Sequence, residues 1–311
     1  MLMKKITTTL KEPLKYLALN RGSLVLVTDT EGASYRDIGT FMAIGVDGTR
    51  IGSVSSGCIE DDIATHAEQA IVTGQTQTLR YGLGSPFFDL RLPCGGGLSI
   101  VVIPNPDETV LARALHKTSD RIPVTLSFDF LTGEINLVNE TLLVVNASSM
   151  ETFKVTLLPD QVVYVFGQGA EARSFAQLSS AAGYQVRLFT KEENIENILG
   201  VKHIRITDFD EFKFPEADPW TAICLFFHDH ENEAKILSNY LGSLAALIGV
   251  QGSQKSRGTL LMELQRLGVS KTHIDKLSHK FGLIAKCRDP QTLAISVLAH
   301  VATAFDGQRV V

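Results

Sequence analysis

The sequence predicts an α/β protein in which a mixed α/β N-terminal domain precedes a Rossmann-like, doubly wound parallel sheet. Three observations predict it. From Gln161 onward, short apolar runs (Val162–Phe166, Gln185–Phe189, Thr221–Phe227, Leu244–Val250) alternate with helical stretches, a rhythm that argues for parallel strands joined by crossover helices. The first of these runs passes directly into Gly167-Gln-Gly-Ala-Glu-Ala172, which fits the G-x-G-x-x-G/A turn of a dinucleotide-binding unit. The first hundred residues instead mix helices with hairpin-type strands. The expected division is an N-terminal domain over 1–106, an antiparallel extension and linker over 107–160, and the Rossmann-like domain over 161–311.

In chain order, Ile6, Leu10, Leu14 and Leu17 recur at helical spacing up to Leu19, with Pro13 able to delay the start. Ser23–Thr28 reads as a strand. Phe41–Val46 and Arg50–Val54 flank Asp47-Gly48, a strong hairpin signal. A helix is expected from about Cys58 to Val72, closed by Gly74. A glycine-rich stretch, Leu92-Pro-Cys-Gly-Gly-Gly97, then runs into a strand that ends at Pro104. Beyond Asp107 come a helix and short strands, among them Leu142–Val145, with a turn at Thr132-Gly133; Leu157–Asp160 reads as a linker. In the last domain, helices are expected over Glu231–Leu241 and Arg257–Leu267. A final helix opens at Asp289-Pro290, with Asp as N-cap and Pro at the first position.

Composition narrows the function. The 311 residues are 44% hydrophobic and 20% charged, as in an ordinary globular protein. With 29 Lys+Arg against 34 Asp+Glu, the net charge is -5 and there is no basic run. That argues against nucleic acid as a partner. No segment approaches the roughly 18 apolar residues of a membrane span, and the N-terminus shows no signal peptide. The expected compartment is a reducing cytoplasm, where the sequons at Asn139 and Asn146 are chance. Cys58, Cys94, Cys224 and Cys287 are widely spaced, with no C-x-x-C pair, which argues against structural zinc or a disulfide scaffold.

Two cysteine turns and one glycine turn can carry chemistry. Cys58 lies in Gly52-Ser-Val-Ser-Ser-Gly-Cys-Ile-Glu60, at a strand-to-helix junction where a helix N-terminus favours thiolate. Cys94 opens Cys94-Gly-Gly-Gly97, a turn whose glycines leave the backbone approachable. Together they suit a soft, anion-friendly pocket; the alternative is that both are small buried hydrophobes, and local context leaves both readings open. Cys224, inside Ala222-Ile-Cys-Leu-Phe, reads as core. The glycine turn at Gly167 offers a helix N-terminus to an anion. The strand after it ends in Thr190-Lys191-Glu192, with no Asp at its tip to hold a ribose, so the fold is better supported than NAD use. Phe227-His-Asp-His230 ends a strand where open sheets bind ligands but matches no zinc spacing.

Three segments in this order resemble the XdhC/CoxI family of xanthine dehydrogenase accessory proteins: Gly52–Glu60, Cys94–Gly97 and Val165-Phe-Gly-Gln-Gly-Ala-Glu-Ala-Arg173. The resemblance extends through Thr28–Arg36, Phe227–Asp229, Leu247–Ser253 and Asp289–Ser296, and so over nearly the whole chain. Ser56, where the family usually has Gly, Leu283–Cys287 and His300 depart from the pattern. The resemblance implies a chaperone that binds molybdenum cofactor, holds it while its sulfido ligand is installed by a cofactor sulfurase, and delivers it to a molybdenum hydroxylase such as xanthine dehydrogenase. It implies a homodimer. It places the cofactor on Arg36, Ser55, Cys58, Glu60, Cys94, Gly95 and Gly96 and on Gly167, Gln168, Gly169, Glu171 and Arg173, with Cys58 and Cys94 as molybdenum contacts; NAD(P) is a second ligand the Rossmann turn admits. The three turns are then expected to border one cleft.

The chain is not the dehydrogenase itself, whose iron–sulfur clusters each need four cysteine thiolates. The competing class is an NAD(P)-dependent oxidoreductase, which requires a proton donor near the nicotinamide. No familiar motif supplies one.

Overall fold

The computed structural model describes residues 7–308 apart from 9, 56, 58, 86–94, 139–151, 194–196, 228–229, 253 and 278–280. Cys58, Cys94, Leu142–Val145 and the sequons at Asn139 and Asn146 therefore lie outside the described residues, as do His228 and Asp229. The chain forms two compact units, 1–159 and 160–311.

The first unit runs β1 (Thr7–Thr8), α1 (Glu12–Leu17), β2 (Gly22–Glu31), β3 (Phe41–Gly45), β4 (Arg50–Gly52), α2 (Glu60–Thr73), β5 (Gln77–Gly82), β6 (Gly97–Pro104), α3 (Glu108–Ser119), β7 (Val124–Asp129), β8 (Ile135–Val138) and β9 (Thr152–Leu157). Its main sheet is antiparallel, in the order β4-β3-β2-β6-β5. Both faces are covered. Leu24, Leu26, Val101 and Ile103 point into a core built with α1, α3 and β7 to β9. Val25, Val27, Ile100 and Val102 point the other way, onto Ile63, Ala64 and Ala67 of α2. The period of two along each strand thus explains why β2 and β6 read as continuous apolar runs. The segment 107–157 shares this core through Leu111, Leu126, Val155 and Leu157.

Two local expectations change. The helix predicted from Ile6 to Leu19 is only Glu12–Leu17, with Pro13 in its first turn; Thr7 and Thr8 instead pair parallel with Thr156 and Leu157, while Leu10 and Leu19 are exposed. The linker is also shorter than expected, because Leu157 is still strand and the Leu158 carbonyl accepts from the buried Lys11 Nζ at 2.9 Å.

The second unit runs β10 (Val162–Gly167), α4 (Gly169–Ala181), β11 (Gln185–Thr190), β12 (Val201–Arg205), β13 (Thr221–Phe226), α5 (His230–Tyr240), β14 (Leu247–Val250), α6 (Gln254–Arg266), α7 (Lys271–Ile274) and α8 (Pro290–Gln308). Its five strands are all parallel, in the order β12-β11-β10-β13-β14, the doubly wound arrangement expected from the sequence. One face packs on α5 and α6 through Tyr164, Phe166, Leu225, Leu237 and Leu264. The other packs on α4 and α8 through Val163, Val165, Cys224, Phe175 and Val301. Cys224 is fully buried, and burial pushes its thiol pKa up; it is core, as its strand context implies. Among the described residues no helix is long and apolar enough to cross a membrane.

Candidate functional site

Each unit gathers its candidate residues at one end of its sheet. In the first, β2, β4 and β5 finish where β3 and β6 begin, since Glu31 and Gly82 both pair with Gly97, and Gly52 pairs with Met42. The three loops that leave this end carry Arg36, the Ser53–Ile59 turn, and Gly95 with Gly96. The Arg36 loop touches the other two. Arg36 Nε donates to the Ser53 carbonyl at 3.1 Å, and the Gly96 carbonyl accepts from Leu83 N–H at 3.0 Å. A Cβ on Gly96 would stand 2.2 Å from the Ala33 carbonyl oxygen and 2.7 Å from that of Glu31. Only glycine lets these backbones approach so closely. The residues flanking Cys58 and Cys94 in the chain, namely Gly57, Ile59 and Gly95, belong to these loops.

Glu60, the first residue of α2, organises the turn. Its side chain is buried. Oε1 accepts from Ser53 Oγ at 2.9 Å and Ser55 N–H at 3.0 Å. Oε2 accepts from Ser55 Oγ at 2.6 Å and Ile59 N–H at 3.3 Å. Gly57 N–H adds a bond to Ser55 Oγ at 3.1 Å. The helix has the apolar Ile59 as N-cap, without a side-chain cap, so Glu60 reads its own helix start. Burial raises the Glu60 pKa, but the hydrogen bonds from Ser55 and Ser53 outweigh it and hold the carboxyl below its usual value. Asp61 and Asp62 follow in the same turn. Asp61 pairs with Arg50 at 2.7 Å, and Asp62 accepts from the Tyr81 hydroxyl at 2.6 Å, so the start of α2 is rich in carboxylates.

A second device, which sequence reasoning missed, braces the same end. Arg80 on β5 binds Asp29 Oδ2 at 3.1 Å, Glu31 Oε2 at 2.7 Å and Ser99 Oγ at 2.8 Å, and its Nε donates to the Leu83 carbonyl. Asp29, Ser99 and Arg80 stand in cross-strand register. The signal in the sequence was the spacing of Asp29 and Glu31, two apart and hence on one face of a strand.

In the second unit, β10 feeds the glycine turn into α4. Gly167 is fully packed, and a Cβ there would lie 2.9 Å from Phe226 Cβ and 3.1 Å from Ala172 Cβ. Gly167 is thus needed for close packing rather than for a special dihedral. Gly169, with φ +80°, takes the left-handed conformation. Gln168, the N-cap, is exposed and makes no side-chain cap; Glu171 is half-buried.

The acidic residue looked for at the tip of β11 is present after all, two residues on. Thr190 is buried, and its Oγ1 accepts from Glu192 N–H at 3.1 Å. Glu192 folds back so that Oε1 accepts from Gly169 N–H at 2.8 Å, while Arg173 Nη1 donates to both carboxylate oxygens at 3.2 and 3.0 Å. Arg173 therefore lies beside the glycine turn with a partner from this chain. Among the described residues, no group of three His, Cys, Asp or Glu side chains could hold a metal ion.

Comparison with known proteins matches both units. The profile of the XdhC and CoxI family covers residues 19–82, and that of the XdhC Rossmann domain covers residues 163–301. A protein of Escherichia coli (strain K12) named molybdenum cofactor insertion chaperone PaoD is 29% identical over 298 residues, 95% of this chain and 87% of that protein. A crystal structure titled as a xanthine dehydrogenase from Bacillus halodurans shares the fold, with a TM-score of 0.78 at 20% identity over 95% of each chain.

Proposed function

The chain belongs to the XdhC and CoxI family, and on that premise we propose that it binds molybdenum cofactor as cargo and hands it to a molybdenum hydroxylase of the xanthine dehydrogenase type. The observation that carries this is the convergence of the Arg36 loop, the Ser53–Ile59 turn and Gly95-Gly96 at one end of the first sheet. Those are segments on which the family resemblance rests, and the E. coli relative is named a molybdenum cofactor insertion chaperone.

In this reading Cys58 and Cys94 supply soft sulfur to the metal end of the cargo. Arg36, already tied to the Ser53 carbonyl, supplies positive charge to its anionic groups. Ser55 and Glu60 hold the turn in shape. Gly167, Gln168, Gly169, Glu171 and Arg173 form a second place for a phosphate group, one that it reaches only by displacing Glu192 from Gly169 N–H and Arg173. The reading includes a sulfurase that completes the cargo, a homodimer, and a cytoplasmic setting. Holding and releasing a cofactor needs no turnover, so the protein is a carrier and not an enzyme.

The test is co-purification with a molybdenum-cofactor source, followed by analysis of bound molybdenum and pterin. Cys58→Ala and Cys94→Ala are each expected to cut retained molybdenum at least about tenfold, since even changes beyond the ligands themselves cost roughly that at metal sites, with little change in melting temperature. Variants that retain cargo as wild type does, yet melt much earlier, would make the cysteines structural. Steady NAD(H) or NADP(H) turnover by the isolated chain, at roughly 1–1,000 per second, would replace the carrier with an oxidoreductase.

A further inference from the structure

The glycine turn of the second unit holds an anion, and the anion is its own. Gly169 N–H is the donor that the dinucleotide fingerprint aims at a pyrophosphate. Here it donates to Glu192 Oε1 at 2.8 Å, and the nearest cation, Arg173, is engaged with both oxygens of the same carboxylate. Glu192 is tethered there from its other side, because its own N–H is bonded to the buried Thr190 Oγ1. Its side chain is only 25% exposed, so solvent screens the charge incompletely.

We propose that Glu192 is an intrachain lock on the Rossmann turn, which admits a pyrophosphate only when this carboxylate is displaced. A phosphate arriving at Gly169 meets an occupied donor, a neutralised arginine and a like charge at contact distance. Each opposes binding. In an ordinary dinucleotide site the acidic residue at this strand end accepts from the ribose hydroxyls and strengthens binding; here the same residue type is turned onto the phosphate's donor, and its effect reverses in sign. The lock concerns the glycine turn alone and does not rest on the carrier reading.

The two roles predict opposite results. Titrating the full-length protein with ADP-ribose and with inorganic pyrophosphate by calorimetry, wild type is expected to bind weakly. Glu192→Ala and Glu192→Gln should bind at least about tenfold more tightly, the smallest change that removal of a like-charge contact implies. The gain should be present for pyrophosphate alone, which has no ribose. Glu192→Gln keeps an oxygen for Gly169 N–H, so it serves if the alanine variant melts early. Tighter binding by wild type than by either variant would make Glu192 a ribose acceptor and overturn the lock. Equal binding by all three would overturn it as well.

Discussion

Gly167→Val is expected to lower the melting temperature of the second unit by roughly 6–12 °C, through about 3 kcal/mol of overpacking at roughly 2–4 °C per kcal/mol for a domain of this size. The first methyl-sized atom already meets Phe226 Cβ and the Phe226 carbonyl oxygen at 2.9 Å and Ala172 Cβ at 3.1 Å. None of these has room to retreat. Gly167 and Phe226 are register partners in adjacent strands, so the carbonyl is held by the sheet. The Phe226 ring packs on Phe175 of α4 at 5.1 Å and on Phe281 at 5.5 Å. Ala172 lies in the first turns of α4, with no exposed surface. Valine adds two further carbons to this space and forces either the strand pair or the strand–helix contact apart. Differential scanning calorimetry should show the second transition shifted and the first unchanged. A variant that melts as wild type does would mean that the turn relaxes at no cost, contrary to the packing described. Gly169→Val should behave differently: its Cβ meets nothing closer than Glu171 Oε2 at 3.7 Å, so its penalty comes from the left-handed backbone alone.

That contrast marks what the sequence carried and what it did not. The Rossmann half was legible because its strands are buried on both faces and so read as uninterrupted apolar runs, followed at once by a glycine turn. β12 (Val-Lys-His-Ile-Arg) gives no such run because it is an edge strand whose polar Lys202, His203 and Arg205 leave only Val201 and Ile204 apolar. β5 (Gln-Thr-Leu-Arg-Tyr-Gly) is likewise at an edge. The N-terminal helix was overextended because Thr7 and Thr8 owe their extended form to Thr156 and Leu157, about 150 residues away, and no local periodicity reports such a partner. At the site, the residue types were legible but not their direction. The resemblance makes Glu60 a cargo contact, while its oxygens face inward to Ser53, Ser55 and Ile59. Glu192 lies two residues beyond the last strand residue, and an overshoot followed by a fold-back leaves no pattern in composition.

Glu60→Ala is expected to destabilise the first unit by roughly 3 kcal/mol, because it takes the carboxylate acceptor from several donors of one turn at once, and a buried donor left unsatisfied costs about 1–3 kcal/mol. Ser55 N–H, Ser55 Oγ and Ile59 N–H lose an acceptor, Ser53 Oγ keeps only the Ser55 carbonyl at 2.6 Å, and α2 loses the group that caps its start in place of Ile59. Glutamine is not a conservative rescue here. Both carboxylate oxygens accept from two donors each, so an amide NH2 in either position would face donors. Glu60→Gln should therefore fall between alanine and wild type, with amide exchange quickened at Ser55 and Ile59. Acid provides an independent check. The folded-state pKa is below the ordinary glutamate value, so the charged form contributes stability that is complete above that ordinary value, about 4.3, and is lost as pH falls through the lowered one. Wild type should accordingly lose part of its first-unit stability only at acidic pH, and Glu60→Ala should lack that component. The same variant should release cargo even where the fold survives, because the turn that carries Cys58 is the one these bonds hold. If Glu60→Ala keeps both wild-type stability and wild-type retention of molybdenum, the carboxylate neither shapes the turn nor serves the cargo.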